Sequence, residues 1–385
     1  MNIEEAVKAY QTYYCLDCGV CTGSCPVSRV TPSFSPRLIV EKALLELGDE
    51  LLNDRDLWSC LTCSRCYERC PTNINFPEFM RSLREEATKR GVTPALSHHG
   101  MLQTIMELQT QGIRQKKTEW ARESGRIAQS GETFFFVGCM PYFEVIFRDI
   151  GVDSLSISRK VLKVLNAAGI DPVVSDDEAC CGHDMLWNGR TDVFLKLARQ
   201  NVELIRQSGA RQVVFSCPEG YHLFKNHYPQ YLGDLGFEVV HFYDLVQRLL
   251  AEGHISLGNG GGSLTYHDPC RLGRMARVFD SPRNILEQMP DTELVEMERN
   301  RENAVCCGTS GWANCSIGSK QIQVERLKEA KATGAHTLVT ACPKCQIHLS
   351  CALTNMNLDL KIKDLITLIA EGVQGPRIVS NIPTR

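Results

Sequence analysis

Five cysteines between Cys270 and Cys345 set the chemistry this sequence can perform. Cys270 lies in YHDPCRLGR, Cys306 and Cys307 are adjacent and followed by Gly308, and Cys342 opens CPKC, which adds Cys345. Adjacent cysteines bond each other only with strain, because disulfide geometry needs a separation and orientation that a trans peptide disfavours. They can instead hold two different irons of one cluster. Five sulfurs also exceed the four ligands of a zinc site. The competing reading, buried small apolar side chains, must explain a vicinal pair, a CxxC and a lone cysteine in one unit. Clustered thiols in a reducing compartment point to metal or catalysis.

Two further runs lie near the N-terminus: C-L-D-C-G-V-C-T-G-S-C-P from Cys15, and C-L-T-C-S-R-C-Y-E-R-C-P from Cys60. Each has three cysteines at intervals of three and a fourth before proline. This is the bacterial two-cluster ferredoxin spacing, in which the fourth cysteine of each run serves the other cluster. It assigns Cys15, Cys18, Cys21 and Cys70 to one cubane 4Fe-4S cluster, and Cys60, Cys63, Cys66 and Cys25 to a second. Soft thiolates suit iron, the tight spacing wraps three corners of a cluster, and proline turns the chain away. Zinc competes for any single CxxC pair, but zinc sites have no need of two four-cysteine runs ending in Cys-Pro.

The elements that must position these thiols follow from periodicity. Ser35 to Leu52 reads as an amphipathic helix, with Val40, Ala43, Leu44, Leu47 and Leu51 on one face; a second helix covers Phe76 to Arg90 and stops at Gly91. The ferredoxin-type module (residues 1–92) is therefore helical. A helical, polar connector follows over 93–131, whose Arg114, Lys116, Lys117, Glu119, Arg122 and Glu123 read as a solvated face, with a docking surface as the sharper alternative.

From residue 132 the chain repeats itself, over 132–258 and 259–385, across the Gly-rich linker HISLGNGGGS. Strands at Thr133–Val137, Pro172–Ser175 and Gln212–Ser216 alternate with helices at Ser156–Ala168 and Asp192–Gln207. The second copy answers with strands at Leu264–His267, Glu293–Glu298 and Thr337–Thr340, and helices at Arg283–Gln288 and Lys320–Ala332. Cys270, Cys306 and Cys342 fall 131, 126 and 125 residues after Cys139, Cys180 and Cys217. Alternation of this kind predicts two α/β units with largely parallel sheets, their cysteines at strand C-termini where open α/β sheets bind ligands.

The first copy departs at its last motif, CPEG from Cys217 to Gly220. Its thiols are Cys139, Cys180, Cys181 and Cys217, with His183, Glu219 and His222 as substitutes for the missing fifth. A noncubane cluster with one non-cysteine ligand, a four-ligand site for zinc or a cubane, and a site without metal all stay open. Cys315 and Cys351 fit no motif position and read as buried small apolar residues. His267 and Asp268 suit a capping role or proton delivery to a thiolate. Arg271 and Arg274 could hold an anion, tune a cluster potential, or face solvent.

Composition narrows the class. The 385 residues carry 42 basic and 45 acidic side chains, which gives no electrostatic case for nucleic acid or a membrane surface. Nineteen cysteines, an odd number in CxxC patterns, and an N-terminus MNIEEAVKAY without a basic and apolar leader argue for a reduced, cytoplasmic protein rather than a secreted disulfide scaffold. No apolar run reaches membrane-span length.

The order of motifs, two ferredoxin runs followed by two CCG units, resembles a fusion of the small and large catalytic subunits of heterodisulfide reductase over nearly the whole chain. The resemblance implies an α+β multidomain fold: an N-terminal α-helical two-cluster ferredoxin module, then two tandem α/β CCG (cysteine-rich) repeats. It also implies that Cys270, Cys306, Cys307, Cys342 and Cys345 hold a noncubane 4Fe-4S cluster acting on a thiol or disulfide, while the residues of the first repeat leave a second such cluster or zinc open there. Electrons would come one at a time from a flavoprotein or another iron–sulfur subunit. Relatives of the same architecture include iron–sulfur subunits of anaerobic glycerol-3-phosphate, glycolate and lactate dehydrogenases and of the benzoyl-CoA reductase complex. Two functions therefore compete: a thiol–disulfide oxidoreductase, and an electron relay inside a larger, even electron-bifurcating, complex. A zinc-stabilised scaffold is the non-redox reading. The expected location is cytoplasmic, with any membrane contact made through partners.

Overall fold

The computed structural model describes residues 1–113, 115–258 and 260–375, so Arg114 of the connector and Asn259 of the linker lie outside the described residues. In the N-terminal module Pro36 opens the helix Pro36–Leu44, and the Ser35 hydroxyl accepts from the Leu38 amide as its N-cap. The single helix expected to Leu52 is in fact two: Glu46 takes φ +59°, and the chain restarts as Gly48–Asn53. The break turns Leu51 and Leu52 inward, and both are fully buried. Burial of two leucines, at roughly 2 kcal/mol each, outweighs the lost helical continuity.

The helix Phe76–Lys89 forms as expected, with Gly91 beyond it at φ +82°. Its Arg84 is completely enclosed and donates to the carbonyls of Leu57, Cys60 and Trp187. One guanidinium therefore pins the ferredoxin-type loops to the first repeat. The connector is only partly helical, at Met101–Gln109 and Glu119–Ser124, and Lys116, Glu119, Arg122 and Glu123 face solvent.

In the first repeat β1 (Thr133–Phe136), β2 (Gln212–Phe215) and β3 (Glu238–His241) form a parallel sheet in the order β1-β2-β3. The strand expected at Pro172–Ser175 shrinks to a parallel bridge from Val173 to Phe134 on the free side of β1. The linker adds β4 (Ser256–Leu257). In the second repeat β5 (Gly262–His267), β6 (Thr292–Leu294), β7 (Thr337–Thr340) and β8 (Lys361–Asp364) form a fully parallel sheet in the order β6-β5-β7-β8. With Val173 counted, the two orders are the same. The expected strand over Glu293–Glu298 ends early, at Leu294. β9 (Val373–Gln374) then pairs antiparallel with β4.

The repeats pack against each other through Ser154–Ala167 and Leu365–Gly372, where Lys160 reaches Thr367 and Lys163 reaches the Ala370 carbonyl. One apolar core runs through both, from Phe134 and Val213 to Leu264 and Ile366. The fold is α+β, and no helix among the described residues is long and apolar enough to cross a membrane.

Candidate functional site

The two ferredoxin-type loops are built alike. Asp17 and Gly19 in the first, and Thr62 and Ser64 in the second, all take positive φ at matching places after Cys15 and Cys60. Each reversal curls the loop so that its thiols face one side. Cys15, Cys18, Cys21 and Cys70 line one cavity, Cys25, Cys60 and Cys63 line a second, and Cys66 stands between them and lines both. The fourth cysteine of each run thus sits with the other run's three. Backbone amides point at sulfur, Thr62 to Cys60 Sγ at 3.3 Å and Ile74 to Cys70 Sγ at 3.4 Å. The first cavity is near the surface, with Cys18 exposed, whereas Cys25, Cys60 and Cys63 are buried.

The donor set fits an anionic iron–sulfur cluster. Burial pushes the Cys60 thiol up to about 12, so without metal it stays protonated. Arg65, buried beside Cys63, has Nε and Nη1 without a partner among the described residues. Four thiolates carrying a net negative group would satisfy both.

In the second repeat Cys270 follows β5, Cys342 follows β7, and Cys345 lies in the first turn of Pro343–Leu353. These strand ends flank the point where the strand order reverses, the usual ligand crevice of such sheets. Gly308, at φ +87°, lets the Cys306–Cys307 loop approach, since a Cβ there would stand 2.8 Å from the Ser319 carbonyl oxygen. Cys270, Cys307, Cys342 and Cys345 line one cavity, and Cys306 is hydrogen-bonded to Cys270 and Cys307. All five are together. Hydrogen bonds from Cys306 and Cys345 draw Cys307 down to about 6. His348 Nδ1 stands 3.4 Å from Cys307 Sγ. Sequence reasoning missed this residue, although CPKCQIH places it one helical turn after Cys345.

In the first repeat Cys139, Cys180, Cys181 and Cys217 also share a cavity, with Cys139 and Cys180 sulfurs 3.2 Å apart. Gly220 stands where the second repeat has Cys345. Of the three substitutes, His183 and Glu219 line the cavity, but both are engaged. His183 Nδ1 is 2.9 Å from Asp184 and its Nε2 accepts from Arg271, while Glu219 is 2.5 Å from Lys344 Nζ. His222 does not line it and packs on His227. Lys344 also reaches Asp184 at 2.5 Å. This lysine lies between the two thiols of CPKC, so the second site's own strap closes the first.

Arg271 and Arg274 are buried rather than solvent-facing, and both donate into the loop between Cys60 and Cys63: Arg271 to the Thr62 carbonyl and hydroxyl, Arg274 to the Cys63 carbonyl. Asp268 is structural, although not as a helix cap, since it is held bidentately by Arg283 and accepts from the Arg301 amide. His267 accepts from Arg326. Cys315 is exposed and Cys351 half-buried beside Lys320 at 2.9 Å, so neither is the enclosed apolar residue expected.

Residues 133–225 and 264–350 match the cysteine-rich domain family, and residues 11–74 match the 4Fe-4S dicluster domain. The chain is 30% identical to a polypeptide of the dihydromethanophenazine:CoB–CoM heterodisulfide reductase of Methanosarcina mazei, over 88% of this chain and 82% of that one. It is 26% identical to the EtfAB:quinone oxidoreductase of Syntrophomonas wolfei, over 77% of this chain but 43% of that protein. A crystal structure of a hypothetical protein from Helicobacter pylori shares the fold, with TM-score 0.57 at 12% identity over 96% of this chain and 76% of that one. With two cysteine-rich domains behind a dicluster domain, and that similarity over most of its length, the chain belongs to the heterodisulfide reductase family of iron–sulfur oxidoreductases.

Proposed function

We propose that electrons enter at the Cys15, Cys18, Cys21 and Cys70 site, pass to the Cys25, Cys60, Cys63 and Cys66 site, and end at Cys270, Cys306, Cys307, Cys342 and Cys345, where a disulfide is reduced or thiols are oxidised. Bound 4Fe-4S clusters supply one-electron steps and, at a five-cysteine noncubane site, an iron with room for a substrate sulfur. The observation that carries this reading is the gradient of enclosure. The first site lies at the surface, the second is buried, and the second touches the five-cysteine site, where Thr62 Oγ1 is 3.2 Å from Ser310 Oγ. Exposed Leu16 and Val20 line the first site, exposed Tyr13 and Tyr14 lead into its Cys15, and these suit a flavoprotein or another iron–sulfur polypeptide as partner. Thr309 and Ser310 line the cavity of the five thiols and help to keep water from it. At the first repeat, the four thiolates suit either a further iron–sulfur cluster or zinc. A cytoplasmic place, held at a membrane only through partners, belongs to the same reading.

A relay without disulfide chemistry is the second reading. It is favoured by the Lys344, Asp184 and Glu219 network, which fills the space between the two cysteine sites, and by the similarity to a quinone oxidoreductase. The test is Cys345→Ser in anaerobically prepared protein. Iron should fall from about 12 to about 8 per chain, or from about 16 to about 12 with a cluster at the first repeat, and disulfide turnover should vanish. Unchanged turnover would assign the chemistry to another polypeptide.

A further inference from the structure

Two enclosed guanidiniums, Arg271 and Arg274, lie between the second ferredoxin-type site and the five-cysteine site, and only Arg274 bonds a cysteine of the one and the approach to Cys306 of the other. Arg274, in the turn Arg271–Met275 that follows Cys270, donates from Nε to the Cys63 carbonyl at 2.6 Å and from Nη1 to the Ala304 carbonyl at 2.7 Å. Nη1 also donates, at 3.2 Å, to the Glu302 carbonyl, so its partners are a cysteine of one site and the short segment that leads into Cys306 of the other. Nη2 is buried and has no partner among the described residues. Arg271 reinforces the same junction through Thr62 and stacks on the Trp187 ring at 4.2 Å. The first repeat has Met140 and Phe143 at the positions equivalent to Arg271 and Arg274, and both are core residues.

We propose that Arg274 is a positioning residue that ties the Cys25–Cys60–Cys63–Cys66 site to the five-cysteine site through one shared positive charge and one hydrogen-bonded bridge, and so directs electrons to the second repeat alone. The proposal rests on the iron–sulfur reading above. In the step concerned one electron leaves the first of these sites and arrives at the other, and no bond forms or breaks. A fixed cation beside both sites favours the reduced state of each, because reduction adds negative charge next to it in a medium of low dielectric. The bridge from the Cys63 carbonyl through the guanidinium to the Ala304 carbonyl replaces a through-space gap by hydrogen bonds. An unpaired Nη2 donor is what an acceptor sulfur at either site would use.

The test uses the full chain, reduced stepwise with dithionite under argon while electron paramagnetic resonance follows each site. In Arg274→Gln, iron content should stay at the wild-type value. At the wild-type midpoints, the ratio of reduced to oxidised form should fall about tenfold at both joined sites and not at the Cys15, Cys18, Cys21 and Cys70 site. Arg274→Lys, which keeps the charge and loses the fork, should restore the midpoints yet slow transfer between the two sites at least about tenfold. Wild-type midpoints in a fully loaded Arg274→Gln would overturn the proposal. Should Arg274→Gln lose iron, Arg274→Lys decides: wild-type midpoints with slowed transfer support the proposal, and any other result, including loss of iron, leaves Arg274 structural only and overturns it. Wild-type protein prepared without iron would instead overturn the iron–sulfur reading itself.

Discussion

The two cysteine-rich repeats share a strand order, a glycine after each vicinal cysteine pair and a thiol at each corresponding strand end, yet the side chains around those thiols differ. Positions 219 and 344 correspond in the duplication and meet face to face across the repeat interface. Identical residues there would place like charges in contact. Instead one is Glu and the other Lys, and they pair at 2.5 Å. The neighbouring positions diverged too, Gly220 against Cys345, and so did the arginines that reach the ferredoxin-type loop, present only after Cys270. A duplicated scaffold can thus keep its backbone while a handful of side chains at the interface differ between the copies.

The sharpest way to break this contrast is a matched pair of thiol losses. Cys342→Ser should lower disulfide turnover by at least about 1000-fold, while Cys217→Ser should leave it within about tenfold, both measured with dithionite as donor. Equal losses would mean that the repeats act as one site. Next in size is Lys344→Met, which leaves Asp184 and Glu219 enclosed without a cation and should cost about 3 kcal/mol in denaturant unfolding. Adding Asp184→Asn and Glu219→Gln should recover most of that loss, and a triple variant as unstable as the single one would discredit the pairing argument.

Per pH unit, the smallest effect concerns the last helix of each repeat. His241 Nδ1 accepts from the Tyr243 amide, and the Asp364 carboxylate accepts from the Ile366 amide, at corresponding strand ends. Burial lowers His241 to about 3 and raises Asp364 to about 7, so both are neutral in the fold. For His241 the unfolded chain binds the extra proton, and stability falls as pH drops from about 6.5 to about 3. For Asp364 the folded chain holds the extra proton, and stability falls as pH rises from about 4 to about 7. Each arm has a slope of up to about 1.4 kcal/mol per pH unit, and in the overlap they nearly cancel. Asp364→Asn should therefore expose the acid arm as a steeper loss of stability below about pH 6.5 in thermal scans, and His241→Asn should expose the opposite slope. Parallel profiles for the two variants would refute the comparison.

Much of this was readable from residue order, because cysteine spacing is a local property. Three thiols at intervals of three must share a loop, and the offsets of Cys139, Cys180 and Cys217 from their partners expose the duplication directly. What escaped depends on contacts between distant residues. Nothing near Lys344 in sequence announces Asp184, 160 positions away, and nothing near Arg271 announces Thr62, 209 positions away. The helix break at Glu46 escaped because Leu51 and Leu52 fit the helical period, and only their burial against the neighbouring helix decides otherwise. His348 alone had a local signal, its spacing of one helical turn from Cys345.

Arg84 is fixed at once by the Leu57 and Cys60 carbonyls and by Trp187, so the ferredoxin-type module is no swinging arm on a tether. A shuttling domain would make electron delivery wait on diffusion and on viscosity. On the proposed electron path, the spacing between the ferredoxin-type module and the repeats would be set when the chain folds.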